Sequence, residues 1–170
     1  MRWESVGETT CSVARALSVV GERWTMLILR EAFLGRRRFD EFQARTGVAR
    51  NILSARLRAL VRNGIFERIE NAPPGDHVQY WLTAKGLDLY PILVAMLRWG
   101  DKWMACEGGP PVELVHRECG YKTRPTLVCS HCGSKIDART TTPVIRAIPA
   151  QRRGGASKAR TRLNPPRRSE

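Results

Sequence analysis

The sequence predicts a mainly α protein with a small β-wing, followed by a small C-terminal β-hairpin module. Three observations predict it. Apolar residues recur at helical spacing from the start to about residue 108, punctuated by glycines at 21, 35, 47 and 64. Two short alternating stretches, Ile65–Ile69 and Val78–Leu82, flank the turn-rich Asn71–Asp76. Residues 112–140 are β-prone and hold three of the five cysteines and two of the three histidines.

The elements follow in order. Ser12 to Val20 places Val13, Leu17 and Val20 on one helical face before Gly21 breaks it. Glu22 to Leu34 is a second helix, its apolar content pointing to burial and its end marked by Gly35. A short third helix starts at Phe39 and stops at Thr46-Gly47, and a fourth runs from about Ala49 to Arg62, ending at Asn63-Gly64. After the two strands, Thr83 caps a long helix reaching about Ala105, which Pro91 kinks or restarts. Helix, glycine turn, helix and hairpin, in that order, define a winged helix-turn-helix.

The chain carries a formal charge of +13 and a pI near 10.6. Residues 151–170 hold seven Arg/Lys against one Glu, a net of +6, leaving +7 for the remainder. Such charge attracts polyanions, nucleic acid foremost. Three regions are expected: a DNA-binding and dimerisation domain over 1–108, the cysteine-rich module over 112–140, and a basic, Pro- and Gly-rich tail over 141–170. The tail lacks the apolar content to offset ordering entropy and is expected to be disordered, adding salt-sensitive attraction to phosphates. The apolar runs are short and broken by charge, and Met1–Ser5 has no apolar export core, so a cytoplasmic protein with no membrane span is expected. No constellation of acid, base and nucleophile is visible, and no Gly-rich phosphate loop, so no enzyme activity is expected.

On the fourth helix, Leu53, Leu57, Leu60 and Val61 form an inward stripe at 100° per residue. Asn51, Ser54, Arg58 and Arg62 fall on the other side, with Arg50 at the helix start. These side chains suit base edges near the helix start and phosphates farther along, which makes double-stranded DNA the expected partner. Arg36, Arg37 and Arg38, just before the third helix, fit a phosphate clamp.

Val19–Glu31, Gly47–Arg58 with Gly64-Ile65, and Tyr80–Gly86 resemble the corresponding blocks of HxlR-type regulators, relatives of the MarR group. The resemblance covers roughly residues 11–104. It implies a transcriptional regulator that binds a pseudo-palindromic operator as a homodimer through its terminal helices, with the apolar face of residues 87–104 as the dimer surface. It also implies a role for Cys11, because several members carry a cysteine just before the first helix and use it to sense oxidants or electrophiles. A helix N-terminus stabilises thiolate, which fits that role, whereas a small buried residue at an interface is the plainer reading. An oxidant or small-molecule effector is therefore open. Cys106 reads as structural.

In the second region, His116-Arg117-Glu118-Cys119-Gly120 and Cys129-Ser130-His131-Cys132-Gly133 repeat one shape: ligand, two residues, cysteine, glycine. Held side by side, with Tyr121–Val128 as strand, they would present His116, Cys119, Cys129 and Cys132 to a structural Zn2+ in a zinc-ribbon-like module. His131 is expected to point outward. A redox CxxC would call for a following helix, and none is signalled; reduced thiols without metal remain the other possibility. The rival to a DNA-binding regulator is a non-specific basic RNA-binding or ribosome-associated zinc protein. That reading fits the tail and the cysteines but leaves the fourth helix unexplained.

Overall fold

A computed structural model describes residues 3–70, 78–104 and 107–145. The hairpin tip at 71–77 with His77, Cys106, and the tail from 146 onward lie outside the described residues. After a 3-10 turn at Trp3–Glu8 come helices α1 (Ser12–Val20), α2 (Thr25–Phe33), α3 (Phe39–Thr46) and α4 (Arg50–Arg62). The strands β1 (Phe66–Ile69) and β2 (Gln79–Leu82) follow, then α5 (Ala84–Leu87), α6 (Tyr90–Trp103), β3 (Leu114–Val115) and β4 (Lys122–Thr123).

The core gathers where α2, α3, α4 and β1 meet. Ile28, Leu29 and Ala32 of α2 pack with Phe42 of α3, Leu53, Leu57 and Leu60 of α4, and Ile65 and Phe66. Val61, expected on the same stripe, is half-buried against this cluster. The strands pair antiparallel with Phe66 opposite Leu82 and Arg68 opposite Tyr80. Phe42, Phe66 and Tyr80 form an aromatic triangle with ring centroids 6.1 to 6.4 Å apart. Each contact of that kind adds to simple burial and joins the wing to α3. The segment before α3 lines the sheet edge: the Tyr80 N–H donates to the Arg37 carbonyl at 2.8 Å, and Arg38 bridges to Gln79.

One helix boundary differs from the sequence expectation, and at Pro91 the structure takes the restart rather than the kink. The second helix starts at Thr25 rather than Glu22. The Glu22 carboxylate accepts from the Trp24 N–H at 3.0 Å and its carbonyl from the Thr25 N–H, so Glu22–Trp24 close a turn instead of joining the helix. The long terminal helix is two helices, of which α6 restarts with Pro91 in its first turn, where a missing N–H costs no helical bond.

The end of α4 is tied down on several sides. Gly64 takes a left-handed φ of 68°, its N–H donates to the Val61 carbonyl, and the Ile65 N–H donates to the Leu60 carbonyl. This pairing satisfies the last helical carbonyls and turns Ile65 into the core. Thr83 Oγ1 donates to the Gly64 carbonyl at 2.6 Å and accepts from the Gly86 N–H at 3.1 Å, while Lys85 Nζ donates to the Asn63 carbonyl. Gly86 lies so close that a Cβ there would stand 2.3 Å from the Ile65 carbonyl oxygen.

Residues 107–145 form two small hairpins rather than the continuous strand expected over Tyr121–Val128. In the first, β3 pairs with β4, Val115 opposite Lys122. In the second, Val128 bridges to Lys135 and the Ile136 N–H donates to the Leu127 carbonyl. The chain leaves the strand at Arg124-Pro125, where Pro125 has no N–H to offer and Arg98 of α6 donates to its carbonyl.

Because the Ile65 carbonyl is backbone, Gly86→Ala forces a shift of the α5 junction. It is expected to lower unfolding free energy by about 1–3 kcal/mol, the usual cost of overpacking, read by denaturant titration.

Candidate nucleic-acid interface

The α3–α4 corner is set by local chemistry. Glu41 Oε2 accepts from the backbone N–H groups of Arg37 (2.8 Å) and Arg38 (2.9 Å), holding the first turn of α3. Those backbone bonds from Arg37 and then Arg38 keep its carboxyl below the usual carboxylate range, against opposition from desolvation. Gly47 ends α3 at φ 66° with its N–H on the Gln43 carbonyl, and Val48 drops into the core before α4 starts. A tight turn between two helices, pinned by a left-handed glycine and a buried valine, is the core of a helix-turn-helix.

α4 therefore has one buried face and one open one. Leu53 and Leu57 are fully buried, while Asn51, Arg58 and Arg62 are exposed and Ser54 is half-exposed. Arg58 donates to Ser54 Oγ at 2.8 Å along that face. Arg50 is exposed at the helix start, its guanidinium 4.9 Å from the Phe39 ring centre. These five residues share one open, basic and hydrogen-bonding surface.

The Arg36–Arg38 triplet divides. Arg37 is engaged inside the fold: it donates to the Ala32 carbonyl at 2.6 Å and its own neighbour's carbonyl at 2.8 Å, and lies 4.7 Å from the Trp81 ring centre. It thereby closes the end of α2 and braces the wing. Arg38 pairs with Asp40 at 3.0 Å, and Arg36 is half-buried. Arg56, which sequence reasoning passed over, lies 4.0 Å from Glu22, in the turn before α2. Only its position on α4, between the two faces, could have signalled it.

Cys11 is exposed and stands at the N-cap position of α1, with no side-chain capping bond. In the C-terminal hairpins, His116 Nδ1 lies 3.4 Å from Cys119 Sγ. The Cys132 thiol is held below its ordinary range by hydrogen bonds from Ser134, side chain first and then backbone, and by Cys129. The four sulfur and imidazole groups thus stand as two pairs. Among the described residues no three His, Cys, Asp or Glu side chains gather around one point. His131 is exposed.

Fold and interface together define a winged-helix DNA-binding class. The HxlR-like helix-turn-helix profile matches residues 19–107, and the chain belongs to that family. An uncharacterized HTH-type transcriptional regulator of Mycobacterium tuberculosis is 47% identical over 132 residues, 78% of this chain and 84% of the relative. The crystal structure of PA1607, described as a candidate transcription factor, superposes with a TM-score of 0.73 at 41% identity, over 82% of this chain and 98% of its own. The redox regulator HypR in its oxidized form superposes at 0.52 with 31% identity, over 54% of this chain and 96% of its own. The 132 matched residues exceed the 107 that end with the family profile, so at least 25 of those shared with the mycobacterial regulator lie in the C-terminal hairpins or beyond. Among the described residues no helix is long and apolar enough to cross a membrane.

Arg37→Ala removes two hydrogen bonds to backbone carbonyls and a ring contact, and is expected to cost about 1–3 kcal/mol of stability by thermal or denaturant unfolding. For Glu41 the folded pKa is the lower one, so its stabilisation is present above the unfolded value and fades as pH falls through the folded one. Glu41→Gln should therefore be less stable than the parent at neutral pH, with the gap closing as the solution is acidified below about pH 4.

Proposed function

We propose that this regulator binds a pseudo-palindromic operator as a homodimer, with α4 in the major groove and the β1–β2 wing against the flanking backbone. The observation that carries this reading is the α4 surface itself. Its back is locked into the core while Arg50, Asn51, Ser54, Arg58 and Arg62 stand together on the open side. An α-helix fits the major groove, and Asn and Arg make the bidentate contacts that distinguish bases there. Arg36 and Arg38 reach phosphate in the same arrangement, and Arg37 supports them from within.

Dimerisation rests on α1 and α6. Val94 is the one fully buried residue that α6 contributes among those described, while Ile92, Met96, Trp99 and Trp103 stay exposed. Trp99 and Trp103 are 61% and 65% exposed, and large exposed apolar side chains in a contiguous patch mark interaction surfaces. Their spacing of four, three and four residues makes one stripe along the helix, the seam pattern of helix pairs. Val13 and Leu17 form a second exposed apolar patch on α1. Two copies joined this way would present two α4 helices to successive grooves about 34–36 Å apart.

Cys11 is the proposed switch, on the strength of its exposure at the start of α1 beside that patch. HypR, a redox regulator, shares the winged-helix region with this chain. Oxidation at Cys11 would act on α1 and so on the dimer that positions the two reading helices.

The direct test is fluorescence anisotropy with the duplex upstream of the protein's own gene, in the presence of random duplex and single-stranded RNA. Binding that resists both competitors, with two protomers per site, is expected. Equal displacement by RNA would sink the operator reading in favour of a non-specific RNA-binding protein. Asn51→Ala and Arg58→Ala should each weaken specific binding by about 1–3 kcal/mol without moving the unfolding midpoint, since neither residue is buried. Diamide should weaken binding reversibly in the parent and leave Cys11→Ser unaffected; an identical response in both would remove Cys11 from the mechanism.

A further inference from the structure

The two cysteine-bearing turns have the same backbone. In the first, the His116 N–H donates to the Tyr121 carbonyl at 3.0 Å and the Gly120 N–H to the His116 carbonyl at 2.8 Å. In the second, the Cys129 N–H donates to the Ser134 carbonyl at 2.8 Å and the Gly133 N–H to the Cys129 carbonyl at 2.9 Å. Gly120 and Gly133 both take left-handed φ values, 73° and 71°. A residue with a Cβ is strained there, so each glycine fixes a turn that folds its first and fourth residues together. Those residues are His116 with Cys119, and Cys129 with Cys132.

Spacing within the first pair matches a shared ion. With Zn–N near 2.0–2.1 Å and Zn–S near 2.3 Å, two donors on one tetrahedral zinc stand about 3.6 Å apart. His116 Nδ1 and Cys119 Sγ stand at 3.4 Å. The segments leading into both turns also lie against the same helix. Leu114, two residues before the first turn, and Pro125, four before the second, line apolar grooves that share Tyr90 and Val94 of α6. Arg98 holds the Pro125 carbonyl on that helix.

The hairpins have little else to hold them. Among the described residues of 107–145 none is buried, and Tyr121, Leu127 and Val128 are exposed. A unit of this size without a core needs a cross-link or a metal to fix its conformation.

We propose that His116, Cys119, Cys129 and Cys132 bind one Zn2+ per chain, and that the ion clasps the two hairpins against α6. The two pairs stand apart in this structure, so binding one ion requires them to be brought together, and that convergence is part of the proposal. The three thiols bind as thiolates and release their protons to solvent, and no electron transfer is involved. Four N and S donors leave no open position, so the site is structural.

The experiment uses the full chain, reduced and stripped of metal. Zn2+ is titrated against a chromophoric chelator, and Co2+ serves as the spectroscopic probe. One equivalent per chain is expected, with the intense visible bands and thiolate charge-transfer absorption of tetrahedral cobalt. Cys119→Ser and Cys132→Ser should each weaken binding by more than about 100-fold, because each removes a first ligand rather than an outer support. His131→Ala and Cys11→Ser should bind as the parent does. Overturning results would be no zinc retained by the parent, an octahedral cobalt spectrum, half an equivalent per chain, or undiminished affinity in Cys119→Ser. The parent's cobalt spectrum decides the matter even where a serine variant fails to fold.

Discussion

The burial of Leu53, Leu57 and Leu60 against Phe42 is the contact on which the rest depends. It fixes the rotation of α4 about its own axis, and with it the direction in which Asn51, Ser54 and Arg58 point. Truncating a buried Leu or Phe in such a core typically costs about 2–5 kcal/mol, a large share of the stability of a small domain. The same ring of Phe42 carries Phe66 and Tyr80 of the wing. α4 and the wing are therefore packed against the same aromatic side chain, as well as against one another through Ile65 and Phe66.

Arginine fills two kinds of position in this chain. Arg37 donates to carbonyls of the preceding segment and braces the wing, and Arg56 is turned toward the Glu22 carboxylate. Arg50, Arg58 and Arg62 have their guanidinium groups on the open face. The net charge counts both alike, so the positive charge of the body overstates the cations free to meet phosphate. Position on the fold, rather than total charge, decides which arginines are available.

The helices and wing were legible because their signals are local. Glycine at 47 and 64, the alternation of 66–69 and 79–82, and the leucine stripe of α4 each depend on neighbours within a few residues. Matters decided by tertiary contact were not. Nothing in Arg36-Arg37-Arg38 says that the middle residue folds back on α2 under Trp81, since Trp81 is distant in sequence. The turn at Glu22–Trp24 was hidden for a related reason: a side chain bonding its own backbone competes with the helix that apolar spacing suggests. In the hairpins, the repeated ligand-x-x-Cys-Gly pattern foretold both turns, but not that the chain would leave the strand at Arg124-Pro125, where Arg98 of a remote helix takes the carbonyl.

The bonds that tie Asn63 and Gly64 to Thr83 and Lys85 have a mechanical consequence. They tie the trailing end of α4 to the start of α5, with Gly86 packed against the Ile65 carbonyl as the bearing surface. A shift of the α5 start is therefore passed directly to the end of the helix that carries Asn51 and Arg58. Over the 13 residues of α4, at a rise of about 1.5 Å per residue, even a few degrees at the joint become a displacement of roughly an ångström at the far tip. Hydrogen bonds weaken over a similar distance, so the geometry of the joint sets how finely the tip is aimed.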